Sequence, residues 1–548
     1  MTHRVVLVGA GGAFGRRLAA RLASWPDVEL VLAGRRPEPL QALRAALMAS
    51  GASAPISVAQ LDRDQPTGLA ALAPWAVVDL AGPFQGAGYG LARSTLQAGG
   101  HYLDIADGRA FVAGFAAALD ETARRTGRLA ATGASSTPAL TAAAVEHLTQ
   151  GWRRIDRIEA AISPGARAFH GPSVIRAALS WAGQPVRVFI GGGWRSRAGG
   201  GLVRRRDMPG LGRRWLSLAD TPDLDLIPAR FPVTDEALFL AGAELGIESL
   251  TFSLLGWLVR LRLLRSLSAL APTLAWLAAR MAVFGSDRGG MSVTVEGIGR
   301  DGGRARARWS LWADAGIGTN VPILPAAAIL HGLATGALAE AGARPAASLV
   351  SLEAILAQAE GLAISTRTDR GAPGDRALAR RLLGEAFDAM PAAVRAVHGL
   401  ASHGRFRGRG RARGDGGLPA LVRWGLGMPG PGLHPDLEVE IAADARGETW
   451  TRHFGRMSFR SHLRDRKPVG RFAETVGPLA FVFDAEPDAK GFRWRFVEWR
   501  LGPVPLPRPL APRIHARSFA RDGVYRFSVV VAHPWMGILL AYAGRLEL

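Results

Sequence analysis

The residues best suited to chemistry are glycines clustered behind an apolar run near the N-terminus. Arg4–Val8 leads directly into Gly9-Ala10-Gly11-Gly12-Ala13-Phe14-Gly15, and Arg16–Ser24 then has a helical pattern. A strand, a tight glycine turn and a helix in this order can bind a dinucleotide, because the turn lets the backbone approach the phosphates. The free N–H groups at the start of the helix add partial positive charge. We therefore predict that Gly9 to Gly15 contact a pyrophosphate.

Two arginines indicate which nucleotide this turn would serve. Arg35 and Arg36 follow the second predicted strand, Val28–Ala33, where an NAD site would carry an acidic residue for the ribose hydroxyls. Guanidinium groups instead suit bidentate contact with a 2′-phosphate. We predict NADP(H), with NAD(H) as the weaker candidate. The alternative is that both arginines are solvated loop charges in an arginine-rich chain.

The ends of three further predicted strands supply the remaining candidates. These strands are Ile56–Leu61, Ala76–Leu80 and His101–Ala106, and the carboxyl ends of parallel strands meet at one edge of a sheet. We expect cofactor contacts from Asp62, Ala81, Gly82, Pro83 and Phe84, and a proton donor among Tyr102, Asp104, Asp107 and His101. A carboxylate can donate a proton if burial raises its pKa. The alternative for Asp104 is a helix cap or loop anchor.

The residue inventory excludes several other kinds of chemistry. The chain has no cysteine, so thiolate nucleophiles, disulfides and cysteine metal sites are absent. The lysines are Lys467 and Lys490, too far along the chain for a Tyr-x-x-x-Lys pair beside the predicted cofactor. No G-x-S-x-G elbow is present, and no histidine spacing suits a metal; His398 and His403 are predicted surface or hairpin residues. Hydride transfer remains, on a C=N, C=O or C=C bond of a small molecule.

The elements that must position these residues form an α/β chain. Strands and helices alternate up to Gly127, which predicts a Rossmann-type parallel sheet. The runs 155–162, 291–296 and 305–312 predict an antiparallel sheet, and 323–341 a helix, in an α+β middle region. We expect three domains: 1–127 for nucleotide binding, 128–365 for substrate or dimerisation, and 376–548. The boundary between the last two is placed in Thr366–Asp375.

The C-terminal domain is predicted to be mainly antiparallel β-structure. After a helix over 377–397, many short strands are separated by Gly, Pro and Asp turns. Gly404–Gly414 alternates small or apolar residues with arginine, which favours an exposed edge strand closed into a hairpin over an RNA-binding tract. The aromatic strands form either a plain core or a site for an apolar substrate.

Charge and hydropathy limit the classes of partner that the chain is expected to have. The net charge of +21 comes mostly from arginines spread along the chain, so we expect no nucleic-acid partner. The N-terminus enters the first strand without a secretory signal, which predicts a cytoplasmic protein. Leu250–Phe284 is apolar and basic but lacks the uncharged run of about 18–20 residues that spans a bilayer. It could lie on a membrane surface, form a buried hairpin, or make a homodimer contact.

Four stretches resemble the saccharopine-dehydrogenase-like oxidoreductases: Val6–Gly15, Asp79–Phe84, Gly100–Ala106 and Gly133–Pro138. The likeness is close up to about Leu140 and loose up to about Ala363. It implies that the Ala81–Phe84 loop lies against the cofactor and that the G-x-x-Y-x-D strand flanks the nicotinamide. Many relatives carry an acid in the turn after that strand, where this chain has Asp107-Gly108-Arg109.

The remainder of the chain resembles a bacterial domain of unknown function that often follows such reductases. Trp450–Gly455, Phe459–Ser461 and Val476–Leu479 carry this likeness. Together, the two resemblances imply an NADP(H)-dependent oxidoreductase. The alternative is a non-catalytic protein that is regulated by nucleotide or bound peripherally to a membrane.

Overall fold

The computed structural model describes residues 2–168, 179–264, 267, 270–300, 304–371, 377–400, 403–444, 447–455, 457–502 and 504–547. The chain forms two compact units. The first comprises Met1–Gly297 and Ala307–Asp369, and the second comprises Ile298–Arg306 and Arg370–Leu548. The main division, at Asp369, lies inside the predicted boundary Thr366–Asp375, of which residues 372–375 lie outside the described residues.

The first sheet is built from short, buried, apolar strands, as the sequence predicts. They are β1 (His3–Val8), β2 (Val28–Gly34), β3 (Ile56–Gln60), β4 (Ala76–Asp79), β5 (His101–Asp104) and β6 (Leu129–Thr132). The helices of this region are α1 (Ala13–Leu22), α2 (Pro37–Ala49), α3 (Gly90–Gln97), α4 (Arg109–Thr126) and α5 (Thr141–Thr149). β1 pairs in parallel with both β2 and β4, so Val8 lies beside Ala33 and Asp79. This register brings the ends of all three strands to one edge.

A second sheet follows in the same unit. Its strands are β7 (Arg154–Ser163), β8 (Pro185–Ile190), β9 (Trp194–Ala198), β10 (Arg204–Met208), β11 (Gly212–Leu218), β12 (Val233–Ala241), β13 (Gly289–Ile298), β14 (Arg304–Ala313) and β16 (Ile364–Gly371). The predicted strands 155–162, 291–296 and 305–312 lie in β7, β13 and β14, which are neighbours in this sheet. The sheet as a whole is mixed, because β12, which was not predicted, pairs in parallel with β7. β15 (Gly342–Pro345) instead joins the first sheet, whose order is β15-β6-β5-β4-β1-β2-β3. The predicted division at residue 127 falls between β5 and β6, which are neighbours in that sheet.

The helices of the second region are α6 (Asp223–Arg230), α7 (Gly246–Arg260), α8 (Ala271–Met281), α9 (Leu324–Ala334) and α10 (Leu352–Ala357). In the part of the chain that the structure describes, Ile317–Ala334 is long and apolar enough to cross a membrane, with a mean hydropathy of 1.4. This stretch is 61% buried within the protein, as is typical of a core helix. The predicted helix over 323–341 is shorter in the structure, where α9 ends at Ala334.

The described part of the second unit comprises four α-helices and a closed β-structure. The helices are α11 (Leu378–Leu383), α12 (Glu385–Asp388), α13 (Ala392–His398) and α14 (Leu418–Gly425). The strands are β17 (His403–Arg413), β18 (Gly432–Asp444), β19 (Gly447–Phe454), β20 (Met457–Arg466), β21 (Arg471–Val476), β22 (Leu479–Asp488), β23 (Gly491–Leu501), β24 (Val504–Pro505), β25 (Arg513–Arg521), β26 (Val524–His533) and β27 (Gly537–Glu547). Pairing of β22 with β23 closes the antiparallel sheet into a barrel. The predicted fold class is confirmed.

Three C-terminal predictions need correction. The helix over 377–397 is broken into three at Gly384 and Pro391. β17 alternates as predicted, with exposed arginines and buried small residues, but it is not an edge strand, since it pairs with both β18 and β27. After Gly417 the chain enters α14 before it reaches β18, so no tight hairpin forms.

Candidate active site

The glycine turn has the close contacts that the sequence predicts. Gly9 has a φ of +83°, and a Cβ there would lie 2.9 Å from the backbone nitrogen of Ala81. A Cβ on Gly15 would lie 2.3 Å from the carbonyl oxygen of Gly9. By contrast, a Cβ on Gly11 would approach nothing closer than a methyl of Leu40 at 3.5 Å. Gly9 and Gly15 are therefore required by the packing of the turn, whereas Gly11 is not.

The start of α1 is open to an anion. Gly12 is the N-cap; no side chain caps this end, and the first turn contains no acidic residue. The first N–H groups of a helix have no partner within it, so they are available to a ligand. Arg16 adds a positive charge beside the turn, where its Nε donates a hydrogen bond to the Gly11 carbonyl at 2.9 Å. Gly12 is exposed, and Ala13 and Phe14 are partly exposed.

Arg35 and Arg36 lie at the end of β2, where the sequence places them. Both are exposed, and within the described residues neither side chain forms an ion pair. The Arg35 carbonyl accepts a hydrogen bond from Gln60 at the end of β3. Asp62 is half-buried, and its Oδ1 accepts from the backbone N–H of Asp64. The two arginines are thus free for a phosphate, while Asp62 stabilises its own turn.

The loop after β4 is fixed by a residue that the sequence analysis missed. Arg63 Nε donates to Asp79 Oδ2 at 2.7 Å, and Arg63 Nη1 donates to the carbonyl of Ala81 at 3.0 Å and to that of Pro83 at 3.2 Å. The same guanidinium lies 4.5 Å from the ring centroid of Phe84. Gly82 and Pro83 are exposed. A single side chain from the end of β3 therefore holds the loop that is predicted to lie against the cofactor.

Tyr102 and Asp104 are brought to this edge but are fully buried. The Tyr102 hydroxyl donates to Asp79 Oδ2 at 3.3 Å. Asp104 Oδ1 accepts from the Thr132 hydroxyl and from the backbone N–H groups of Ala106 and Gly133. Burial raises the pKa of Asp104 to about 7. Both residues make the contacts of loop anchors, which is the alternative that the sequence offers for Asp104.

Asp107 is the one of the four predicted proton donors that solvent reaches. Although it is exposed, the surrounding protein displaces enough water to raise the pKa of its carboxyl group. Gln85 Nε2, from the loop after β4, donates a hydrogen bond to Asp107 Oδ1 at 3.2 Å. His101, in contrast, begins β5 and so lies at the opposite edge, where its Nδ1 accepts from the Leu129 N–H. His101 is not part of this site.

Arg109, the first residue of α4, is held by two acidic residues of the second region. The Arg109 guanidinium makes two hydrogen bonds to Asp225, each 2.5 Å long, and one to Asp220 at 2.9 Å. Asp225 lies on α6 in the second region, so this arginine ties the first turn of α4 to that helix. A bidentate ion pair of this kind is strongly stabilising when its side chains are partly buried.

The structure therefore gathers the predicted nucleotide-binding residues at one sheet edge. The glycine turn, the arginines of β2 and the Ala81–Phe84 loop all lie at carboxyl ends of parallel strands, where open α/β sheets bind ligands. Of the predicted proton donors, Asp107 alone is accessible there. The arrangement can hold an extended anionic molecule and present one carboxyl group to a neighbouring reactant.

Comparison with protein families matches the C-terminal part of the chain. A family described as "Domain of unknown function (DUF4166)" matches residues 390–546, which covers most of the barrel. No curated protein matches the chain. The C-terminal resemblance is thus confirmed, but the family's description assigns it no chemistry.

Several solved structures similar to this chain carry the names of oxidoreductases. Apo saccharopine dehydrogenase (L-Glu forming) from Saccharomyces cerevisiae matches 67% of this chain and 100% of its own, with 11% identity and a TM-score of 0.47. DAP dehydrogenase from C. glutamicum, in complex with DAP, matches 65% of this chain and 96% of its own, with 13% identity and a TM-score of 0.34. A Gfo/Idh/MocA family oxidoreductase from Vibrio cholerae matches 65% and 98%, with 14% identity and a TM-score of 0.30.

Proposed function

We propose that this protein is an NADP(H)-dependent oxidoreductase that transfers hydride to or from a C=N, C=O or C=C bond of a small molecule. The observation that carries the proposal is the open glycine turn at the carboxyl edge of the first sheet. The packing around Gly9 and Gly15 leaves no room for a Cβ atom, and helix α1, which follows the turn, begins without a capping side chain. These features suit a pyrophosphate, whose oxygens would accept hydrogen bonds from the unpaired N–H groups.

The residues present fit the cofactor at three points. The N-terminus of α1 would hold the pyrophosphate, Arg35 and Arg36 the 2′-phosphate, and the Ala81–Phe84 loop would flank the remainder. The cofactor itself would supply the hydride. The two arginines have no ion-pair partners among the described residues, so binding a phosphate would not require an existing pair to break.

Asp107 is the residue proposed to move the proton. Its carboxyl group is accessible, is oriented by Gln85 and has a raised pKa. A protonated carboxyl in that position can donate to the amine or alkoxide that develops on the substrate, and it can accept the proton in the reverse direction. This group titrates with a raised pKa, so we expect reduction to weaken as the pH rises through that pKa.

A titration with NADPH and NADH tests the cofactor proposal. We expect nicotinamide fluorescence to report tighter binding of NADPH, and Arg35→Ala/Arg36→Ala to weaken it by about tenfold or more, since each charged hydrogen bond contributes about 1.5–3 kcal/mol. Arg125→Ala, on the last turn of α4 and therefore at the opposite sheet edge, serves as the control. Equal affinity for both nucleotides in the wild type would reject the preference, and no binding of either would reject the function.

The burial of Tyr102 and Asp104 favours one alternative, a nucleotide-binding protein without turnover. NADPH oxidation measured against a panel of imines, ketones and enoyl compounds separates the two functions. Turnover that Asp107→Asn reduces supports the enzyme. Tight NADPH binding with no turnover across the panel supports the alternative.

A further inference from the structure

Helix α7 presents its large apolar side chains to solvent. Its buried face consists of small residues and one valine: Ser249, Ser253, Gly256 and Val259. Its exposed face, continued at each end, consists of large apolar residues: Ile247, Leu250, Leu254, Trp257 and Leu261. Amphipathic helices of globular proteins normally have the opposite arrangement.

Close packing of α7 on the protein explains why only small residues face inward. A Cβ on Gly256 would lie 3.2 Å from both the nitrogen of Gly183 and the carbonyl oxygen of Gly199. The Ser253 hydroxyl turns back to the carbonyl of Ser249 on its own helix. At Gly256 the helix therefore packs against backbone, which leaves no room for a large side chain there.

The apolar exposure continues beyond α7. Trp276 and Leu277 on α8, and Val283 and Phe284 after it, are 58%, 46%, 64% and 75% exposed. Of twenty-three large apolar residues exposed in the described part of the chain, ten lie between Ile247 and Phe284. Exposed apolar residues that are concentrated in this way mark an interaction surface, whereas scattered ones do not. We call these ten exposed residues the apolar surface.

The charged residues around the apolar surface are mostly arginines. Between Glu248 and Asp287 the sequence contains no acidic residue, but it contains four arginines. Three of these are described, Arg260, Arg262 and Arg280; all are exposed, and none forms an ion pair with a described residue. Arg280 lies 4.8 Å from the ring centroid of Trp276, so an aromatic ring and a cation share one position.

We propose that the apolar surface binds the surface of an anionic lipid bilayer. Apolar side chains, two tryptophans and an excess of arginines over carboxylates are the composition of helices that lie in the membrane interface. A second copy of the chain is a poorer occupant, because it would bring four arginines against four arginines, with Glu248 as the one carboxylate in residues 247–284 of the sequence to pair with them. Helix α7 has 15 residues and α8 has 11, shorter than the roughly 20 needed to span a bilayer.

Vesicle flotation with the full-length protein tests this proposal. We expect the protein to float with vesicles of phosphatidylglycerol and phosphatidylcholine and to float much less with phosphatidylcholine alone. Leu254→Glu/Trp257→Glu should abolish flotation, while Val469→Glu, at a residue 87% exposed in the second unit, should not change it. Both positions of the double variant are exposed, so its thermal unfolding should match that of the wild type.

A second variant separates charge from apolar contact. Arg260→Gln/Arg280→Gln should weaken binding to anionic vesicles by about fivefold for each arginine removed, with no effect on neutral vesicles. No flotation of the wild type with anionic vesicles would overturn the proposal. A stable dimer that Leu254→Glu/Trp257→Glu converts to monomer, as measured by sedimentation equilibrium, would overturn it in favour of self-association. NADPH affinity should be unchanged in all these variants, so this test and that of the cofactor fail independently.

Discussion

The glycine turn and the barrel interior differ in how their polar groups are satisfied. At the turn, the first N–H groups of α1 face solvent without a capping side chain, beside the exposed Arg35 and Arg36. In the barrel, buried Glu448 accepts hydrogen bonds from the Leu378 N–H and from the Trp450 indole. Polar groups that already pair with each other inside a protein stabilise a core, whereas donors left at a sheet edge are available to a ligand.

The same comparison bears on the aromatic strands of the barrel. Trp450, Phe454, Trp494 and Phe527 line a cavity of about 30 Å³, which holds one or two water molecules and no larger substrate. Arg452, buried among them, donates to the Ser461 hydroxyl at 2.8 Å. Of the two alternatives that the sequence leaves open for these strands, the structure favours the plain core.

The largest effect should come from Arg63→Ala, because it leaves a charge buried at the edge of the nucleotide site. Asp79 is 1% exposed and loses its ion-pair partner in this variant. We expect the free energy of unfolding to fall by about 3–5 kcal/mol, measured by urea denaturation. Burial already raises the pKa of Asp79, so Arg63→Ala/Asp79→Asn should recover part of the loss. A loss below about 1 kcal/mol, the size expected of an exposed pair, would show that Asp79 is well solvated.

Asp104→Asn should remove a pH dependence of stability. The folded pKa of Asp104 is about 7, raised from 3.8 by burial. The folded state thus binds this proton more tightly than the unfolded state. The contribution of Asp104 to the free energy of unfolding is complete below about pH 4. It is lost as the pH rises to about 7, by roughly 1.4 kcal/mol for each pH unit.

The measurement is a comparison of unfolding free energies for wild type and Asp104→Asn across this range. We expect the wild type to lose stability relative to the variant between roughly pH 4 and 7 and to change no further above it. Asn can still accept the three hydrogen bonds that Asp104 Oδ1 now accepts. Parallel curves for the two proteins would mean that Asp104 keeps its ordinary pKa.

Local patterns account for the parts of the fold that were predicted well. The first five strands begin within one residue of their predicted positions, because each is an apolar run bounded by a turn or a helix. The glycine turn was predictable for the same reason: strand, turn and helix are adjacent in the chain. Exposure of Arg35 and Arg36 follows from their place beyond the end of β2.

Long-range contacts account for what was missed. Arg63 adjoins the predicted Asp62, but its partners Asp79 and Ala81 lie on another strand end, and only the assembled sheet brings them together. His398, predicted as a surface or hairpin residue, is buried against Trp450 and Tyr525, so that prediction is wrong. His403 opens β17, and its side chain lies outside the described residues. The central position of β17 likewise depends on β27, which is last in the sequence.

Gly15→Ala tests whether the close packing of the glycine turn is required. The new Cβ would lie 2.3 Å from the Gly9 carbonyl oxygen, so α1 must move away from β1. We expect a loss of about 1–3 kcal/mol in stability, as for an overpacked site, together with loss of NADPH binding. Gly11→Ala is the matched control: its Cβ has room, so thermal unfolding should be unchanged. If both variants unfold like the wild type, the close packing of the turn is not required.

The smallest effect should come from the barrel, where Tyr525→Phe removes one hydroxyl from a paired core. That hydroxyl donates to Ser518 Oγ at 3.1 Å and lies 2.9 Å from Nε2 of buried His398. Burial holds the pKa of His398 at about 3, so the imidazole stays neutral, and the substitution leaves a polar group unpaired without burying a charge. We expect a loss of about 1–2 kcal/mol in urea denaturation. NADPH affinity should not change, because all of these partners belong to the second unit; a weakened affinity would mean that the barrel takes part in nucleotide binding and is more than a core.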